Sequence, residues 1–217
     1  MKSIIIGAAG LANQLYSYLK RYNVTNVAAF AVNKSYIQNN SFLGLPVVEL
    51  ETLDQNYPPG EYNIYITIGY EQMNQNRQKT YGFLKDKGYE FPNFIHPTVT
   101  PDYDSIGEAN IIFANTILEC SVRIGNGNII RVNSTIAHNS IIGDFNFFAI
   151  GACICGHVQI GNNCFLGANC IIRNNIIVSD NTLVGAGSYL FKNSKPGQVL
   201  LPSKSLFLDC SSSEIKI

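Results

Sequence analysis

Residues 124–143 read Ile-Gly-Asn-Gly-Asn-Ile-Ile-Arg-Val-Asn-Ser-Thr-Ile-Ala-His-Asn-Ser-Ile-Ile-Gly, with isoleucine at 124, 130, 136 and 142. The spacing continues outward, back through Leu118 and Ile112 to Ile106. Forward it runs through Phe148, Ile154, Ile160, Leu166, Ile172, Val178 and Val184 to Leu190. A period of six fits neither an amphipathic helix nor an alternating strand, which repeat at about 3.6 and 2. It is the period of a parallel β-helix, in which each hexapeptide supplies one short strand and one corner. Glycine follows Ile106, Ile124, Ile142 and Ile160, positions 18 residues apart, so three hexapeptides make one triangular coil. Five coils are expected from 106 to about 195.

The finer grammar agrees. Four residues after the aliphatic position stands a mostly small one (Thr116, Val122, Ser134, Ser140, Ala152, Val158, Cys164, Cys170, Thr182, Ser188), as a narrow prism interior requires. Asn and Gly crowd the corners because sharp corners need φ > 0, which these residues tolerate best.

The first 95 residues follow different rules. Lys2 to Gly7 reads as a short buried strand, followed by a helical pattern through Leu11, Leu15, Leu19 and Tyr22. Asn26–Asn33 and Tyr62–Gly69 are two more strands, separated by a turn-rich loop around Gly44-Leu45-Pro46, and Asn74–Lys87 is helical up to Gly88. Such alternation predicts a small parallel sheet flanked by helices. The expected organisation is thus a Rossmann-like α/β domain (1–95), a β-helix (96–195) and a tail (196–217).

Ligands of such sheets bind beyond the carboxyl ends of the strands. Gly7-Ala8-Ala9-Gly10, with Leu11 behind it, lets backbone approach a phosphate, and the following helix N-terminus favours negative charge. This is not a full G-x-G-x-x-G, and Val32-Asn33 close the second strand without an acid. A nucleoside diphosphate joined to something other than a second nucleotide fits better than a dinucleotide. Gly69 closes the third strand, and Arg77 is expected either on a phosphate or as an exposed helical arginine.

Composition narrows the classes. Charged residues are 14% of the chain and cancel to a formal net charge of zero, with no basic run, which argues against nucleic acid and anionic membranes. No apolar stretch is long enough for membrane insertion, and no secretory n-region precedes an apolar core, so a cytoplasmic protein is expected. The six cysteines mostly fall inside the repeat; Cys153 and Cys155 are alternates rather than a C-x-x-C pair, and all six read as reduced.

Of three histidines, His96 precedes Pro97 at the domain junction, while His138 and His157 fall at equivalent corners of successive coils. Residues one coil apart stack at about 4.8 Å. The column through His138 reads Cys120, His138, Gly156, Asn174, Lys192. A base beside a bare peptide N–H is what acyl transfer asks for.

At this point the residues match a family. The hexapeptide array, Gly7-x-x-Gly10 before it, the Ile95-His96-Pro97 junction and the run from Ser134 through His138 to Gly143-Asp144 together resemble the nucleotide-sugar acetyltransferases of the PglD and NeuD type. The resemblance implies a left-handed β-helix and a homotrimer, with acetyl-CoA between neighbouring subunits and a UDP- or dTDP-linked amino sugar on the N-terminal domain. It implies a role in surface glycan biosynthesis. The family's catalytic histidine falls on His138 and its oxyanion-stabilising glycine on Gly156, so this imidazole would relieve the attacking amine of its proton. No metal is required. Phe147, Gly167, Ala168, Gly185, Ala186 and Lys192 are the expected coenzyme contacts, besides Gly156. Three departures stand out: Asn139 where the family carries an acid, and Phe147 and Leu11 where it carries histidines. Rival classes are a γ-carbonic-anhydrase-like metal enzyme, which needs three histidines around zinc, a sugar O-acetyltransferase, and a catalytically silent binding protein on the same scaffold.

Overall fold

The computed structural model describes residues 1–203 and Asp209, so Cys210 and most of the tail beyond 203 lie outside the described residues. In the first domain β1 (Lys2–Ile6), α1 (Gly10–Arg21), β2 (Val27–Val32), β3 (Ser41–Phe42), β4 (Leu45–Glu49), α2 (Leu53–Asn56), β5 (Tyr62–Ile66) and α3 (Gln75–Asp86) follow in order. The sheet runs β3-β4-β2-β1-β5, parallel except for β3. The strand Leu45–Glu49 replaces the expected loop. Leu43 and Gly44 both have φ > 0 and turn a tight hairpin, and the rest of that strand joins β2 in the parallel sheet.

From Phe94 to Leu200 the chain winds as a parallel β-helix of two-residue strands arranged in three faces. The docking face holds Phe94–Ile95, Ile111–Ile112, Ile129–Ile130, Phe147–Phe148, Phe165–Leu166, Leu183–Val184 and Val199–Leu200. The second runs from Thr100–Pro101 through Thr135–Ile136 to Tyr189–Leu190, the third from Ser105–Ile106 through Ile141–Ile142 to Ile177–Val178. Register is strictly one coil: Ile136 pairs with Ile154, Ile142 with Ile160 and Phe148 with Leu166. The six-residue aliphatic series and the small series between them form one continuous core. Burying each aliphatic side chain contributes about 1.5–3 kcal/mol. Asn110, Asn128 and Asn146 stack inside one edge, each amide oxygen accepting the backbone N–H one coil on, so these three buried amide oxygens are matched.

Every sixth residue from Ala109 to Gly187 has φ between +52° and +71°. Asn or Gly occupies these left-handed corners except at Ala109, Ser121, Phe145 and His157. Bulky residues seldom adopt that conformation. Phe145 lies against the α/β domain, its ring 5.3 Å from Tyr81, and His157 lies beside His138. The exceptions mark places where something other than backbone preference chose the residue.

The docking face packs against α1 and the sheet through Ile111, Phe113, Ile129 and Phe147, which share a cluster with Ile5, Leu15, Phe30 and Phe94. His96 sits at this seam, 4% exposed, with the Tyr18 and Tyr22 rings edge-on at 4.7 and 5.1 Å and Thr98 Oγ1 at 2.9 Å from Nδ1. Burial, and then the charge of Arg21, hold its pKa below the ordinary histidine value. The unfolded chain therefore takes up that proton first, and stability is full above about pH 6.5 and falls as pH drops through the lower folded value. Melting followed from pH 8 to 5 should show a fall in Tm on acidification, flattened in His96→Gln. The lowered carboxylates Glu51, Asp54 and Glu108 act below about pH 4.5, outside this window.

Candidate active site

His138 projects from the edge between the second and third faces and is exposed, while Gly156, one coil on, is buried beneath its ring. A Cβ on Gly156 would stand 2.7 Å from Cε1 and Nε2 of His138, so only glycine lets the imidazole lie there. Asn139 Oδ1 lies 3.0 Å from His138 Nδ1. That bond places the ring proton on Nδ1 and leaves the Nε2 lone pair free to act as a base. Asn139 has φ of 59°. The amide where the family carries an acid thus has a backbone reason, since asparagine suits the left-handed corner.

Glu119 is a site residue that sequence reading missed. Its carboxylate accepts the backbone N–H of His138 at 2.8 Å from the preceding coil. The residue in the same place below Gly156 is Ala137, whose methyl accepts nothing. Among the described residues the Gly156 N–H meets no protein acceptor, whereas the next N–H, from His157, is taken by His138 O at 2.9 Å. The signal was there in the pairing of Glu119 with Ala137, but only knowledge of the coil register gives it meaning. His157 sets its ring perpendicular to that of His138, centroids 5.2 Å apart. No three His, Cys, Asp or Glu converge as metal ligands among the described residues.

The other expected coenzyme contacts do not gather around His138 within one chain. Asn174 and Lys192 continue its edge and line, with Arg173 and Phe191, a groove of about 490 Å³. Gly167, Ala168, Gly185 and Ala186 stand instead at the edge between the docking and second faces. Gly167 has a scaffold reason, because a Cβ there would meet Val184 O at 2.7 Å. Phe147 is a correction. It is 6% exposed, stacked on Phe165 at 5.7 Å and met by Tyr70 at 5.0 Å, so it seals the seam between domains and offers a coenzyme no face.

In the α/β domain the ends of β2, β1 and β5 lie side by side and bring Val32, Gly7-Ala8-Ala9-Gly10 and Gly69 to one rim. The chain leaves β1 toward β2 on one side and β5 on the other, which is the crevice where such sheets bind ligands. Gly7, at φ of 111°, lies where a Cβ would strike the Thr67 hydroxyl at 2.6 Å. Leu11 is half-buried against the docking-face cluster. An acid does reach the end of β2, supplied by the segment after β4: Glu51 accepts from Asn33 Nδ2 and Lys34 N, each at 3.1 Å. Partial burial raises the pKa of this carboxyl, but the bonds from Asn33 and Lys34 outweigh it and hold the group ionised. Arg77 is a second correction. It is neither exposed nor free to meet a phosphate: 1% exposed, it is hydrogen-bonded among the described residues only to backbone carbonyls, two of them, Ile68 and Gly69, beneath the rim.

Comparisons with known proteins agree with this architecture. A model of the bacterial transferase hexapeptide (six repeats) matches residues 139–174, and one of the hexapeptide repeat of succinyl-transferase matches 157–192. A search of curated proteins gave no match. Among solved structures, the acetyltransferase domain of PglB from Neisseria gonorrhoeae superposes with a TM-score of 0.81 at 21% identity, covering 91% of this chain and 95% of that one. WeeI from Acinetobacter baumannii gives 0.83 at 21%, over 93% and 97%. PerB from Caulobacter crescentus, solved with CoA and GDP-perosamine, gives 0.72 at 23%, over 92% and 93%. The chain shares their fold. Both domains match in the same order, an α/β sheet and then a left-handed hexapeptide β-helix, so the fold expected from the sequence holds along nearly the whole chain.

Proposed function

We propose that this protein transfers the acetyl group of acetyl-CoA to the amine of a nucleotide-linked amino sugar. The observation that carries the reading is the His138 imidazole packed directly against Gly156, whose peptide N–H meets no protein acceptor among the described residues. The amine nitrogen attacks the thioester carbonyl carbon and His138 Nε2 takes the proton it sheds. The Gly156 N–H donates to the oxygen as it becomes an oxyanion. When the intermediate collapses the C–S bond breaks, and the imidazolium returns its proton to the departing sulfur. Asn139 holds the ring and Glu119 holds its backbone. Support at the level of fold comes from the PglB domain, solved also with acetyl coenzyme A, and from PerB with its sugar nucleotide.

A homotrimer fits the same reading. The acceptor rim belongs to the domain on the docking face, and His138 stands on the edge opposite that face. A sugar held on one chain therefore meets the His138 of a neighbour. The second face, which adjoins the His138 edge, carries Ile117, Ile171 and Tyr189 outward at 43%, 44% and 54% exposure, an apolar stripe for that neighbour. Among the described residues no helix is long and apolar enough to cross a membrane, and the cysteines are free, which suits a cytoplasmic enzyme using acetyl-CoA. O-acetylation is disfavoured because a hydroxyl demands a stronger base, and an amide supports imidazolium less than a carboxylate does.

The test is acetyl-CoA with a panel of UDP-, dTDP- and GDP-linked amino sugars, products read by mass spectrometry. An amide-linked acetyl on at least one sugar is expected. No transfer to any of them, with the chain folded, would support the silent binding protein instead.

A further inference from the structure

Arg77 makes an unusual set of bonds for a buried cation. Its five N–H donors meet five carbonyls at 2.8–3.1 Å: Ile68 and Gly69 at the end of β5, and Gly127, Phe145 and Asn146 on the β-helix. Among the described residues no carboxylate pairs with it. Burial pushes its pKa down to about 9, so it stays charged at neutral pH. The planar guanidinium fork is what allows one side chain to serve carbonyls in two domains, and a lysine ammonium offers at most three donors from a single point.

The segment it holds is strained. Gln72, Met73 and Asn74 have φ of 50°, 51° and 64° in succession, a left-handed run without glycine. Such residues persist only where surrounding structure enforces them, and they collect at ligand clamps. Asn74, fully buried, donates from Nδ2 to Cys164 O at 3.0 Å, a second tie from this segment to the β-helix. Tyr70, between the two ties, leans on Phe147 and Phe165 yet stays 54% exposed. Domain cohesion does not need this arrangement, since the aromatic seam already joins the domains. Two of the five Arg77 bonds act on Ile68 and Gly69, at the ligand end of the sheet.

We propose that Arg77 and Asn74 are positioning residues for the acceptor: they clamp the loop Ile68–Asn74 to the β-helix in the one conformation that presents a nucleotide-linked sugar. The proposal rests on the transferase reading above for its substrate, though not for the clamp itself. The residues read as coenzyme contacts, Gly167, Ala168, Gly185 and Ala186, stand at another edge of the prism, so the clamp is expected to act on one substrate and not the other.

Arg77→Lys and Asn74→Gly test it, the second keeping the positive φ while removing the amide. Each should raise KM for the nucleotide sugar by about tenfold or more while kcat and KM for acetyl-CoA stay within about twofold. Hydrogen exchange of the peptide 68–76, measured without ligand, should quicken while that of 129–142 does not. Ile112→Val, a buried coil residue away from the loop, controls for lost stability and should leave both KM values unchanged. Sugar KM unchanged in both variants, both KM values rising together, or the control moving sugar KM equally overturns the clamp. If the wild type transfers no acetyl group the transferase reading falls, and loop exchange still decides: quickening supports the clamp and no change overturns it.

Discussion

His138→Ala is expected to lower kcat for acetyl transfer by about 10²–10⁴-fold, the usual contribution of a positioned general base. KM for both substrates should stay close to wild type, because the ring is assigned to the proton and not to binding. The protein should melt as before: the side chain is exposed and its one polar bond is to its neighbour Asn139. Surface substitutions of that kind stay within about ±0.5 kcal/mol. Asn139→Ala should show a milder loss, since it frees the ring to rotate without removing the base. Steady-state kinetics beside a melting curve checks both. A His138→Ala enzyme that turns over like wild type would mean the base lies elsewhere, whatever the fold.

The β-helix was legible because its constraint is local and repeated. An inward aliphatic at Ile124 and a small residue at Ser134 mean the same thing in every coil, so each hexapeptide confirms the last. The His138–Gly156 column followed from the 18-residue coil alone. The misreadings have a common cause. Arg77, Phe147 and the strand Leu45–Glu49 all owe their roles to contacts between distant segments, which no local pattern announces. Arg77 looks like any polar residue on a helix until the carbonyls of Gly127 and Phe145 are seen turned toward it. Phe147 stands where the family carries a histidine, and here that position is packed into the seam with Tyr70. The acid missing after Val32 arrives as Glu51 from the segment that follows a neighbouring strand, because a binding rim is assembled from strand ends and not from consecutive residues.

Gly156→Ala should be nearly as damaging as loss of the histidine, through a single methyl group. The residue carries no positive φ, so alanine is no strain on the backbone, and coil stacking need not change. The added carbon would sit 2.7 Å from His138 Nε2, inside any allowed contact, and the imidazole must swing outward into solvent. Two functions then fail together. Nε2 leaves the place where the amine sheds its proton, and the methyl crowds the residue whose N–H is assigned to the oxyanion. Removing one oxyanion donor costs about 10²–10³-fold in kcat, and misplacing a reacting group by about 1 Å costs about 10²-fold. The expected loss in kcat is therefore at least about 10²-fold with Tm near wild type. Because base and donor serve one transition state, Gly156→Ala combined with His138→Ala should fall little below the worse single variant. Full multiplication of the two losses would show that the ring and the amide act on separate steps, and the site drawn around them would have to be divided.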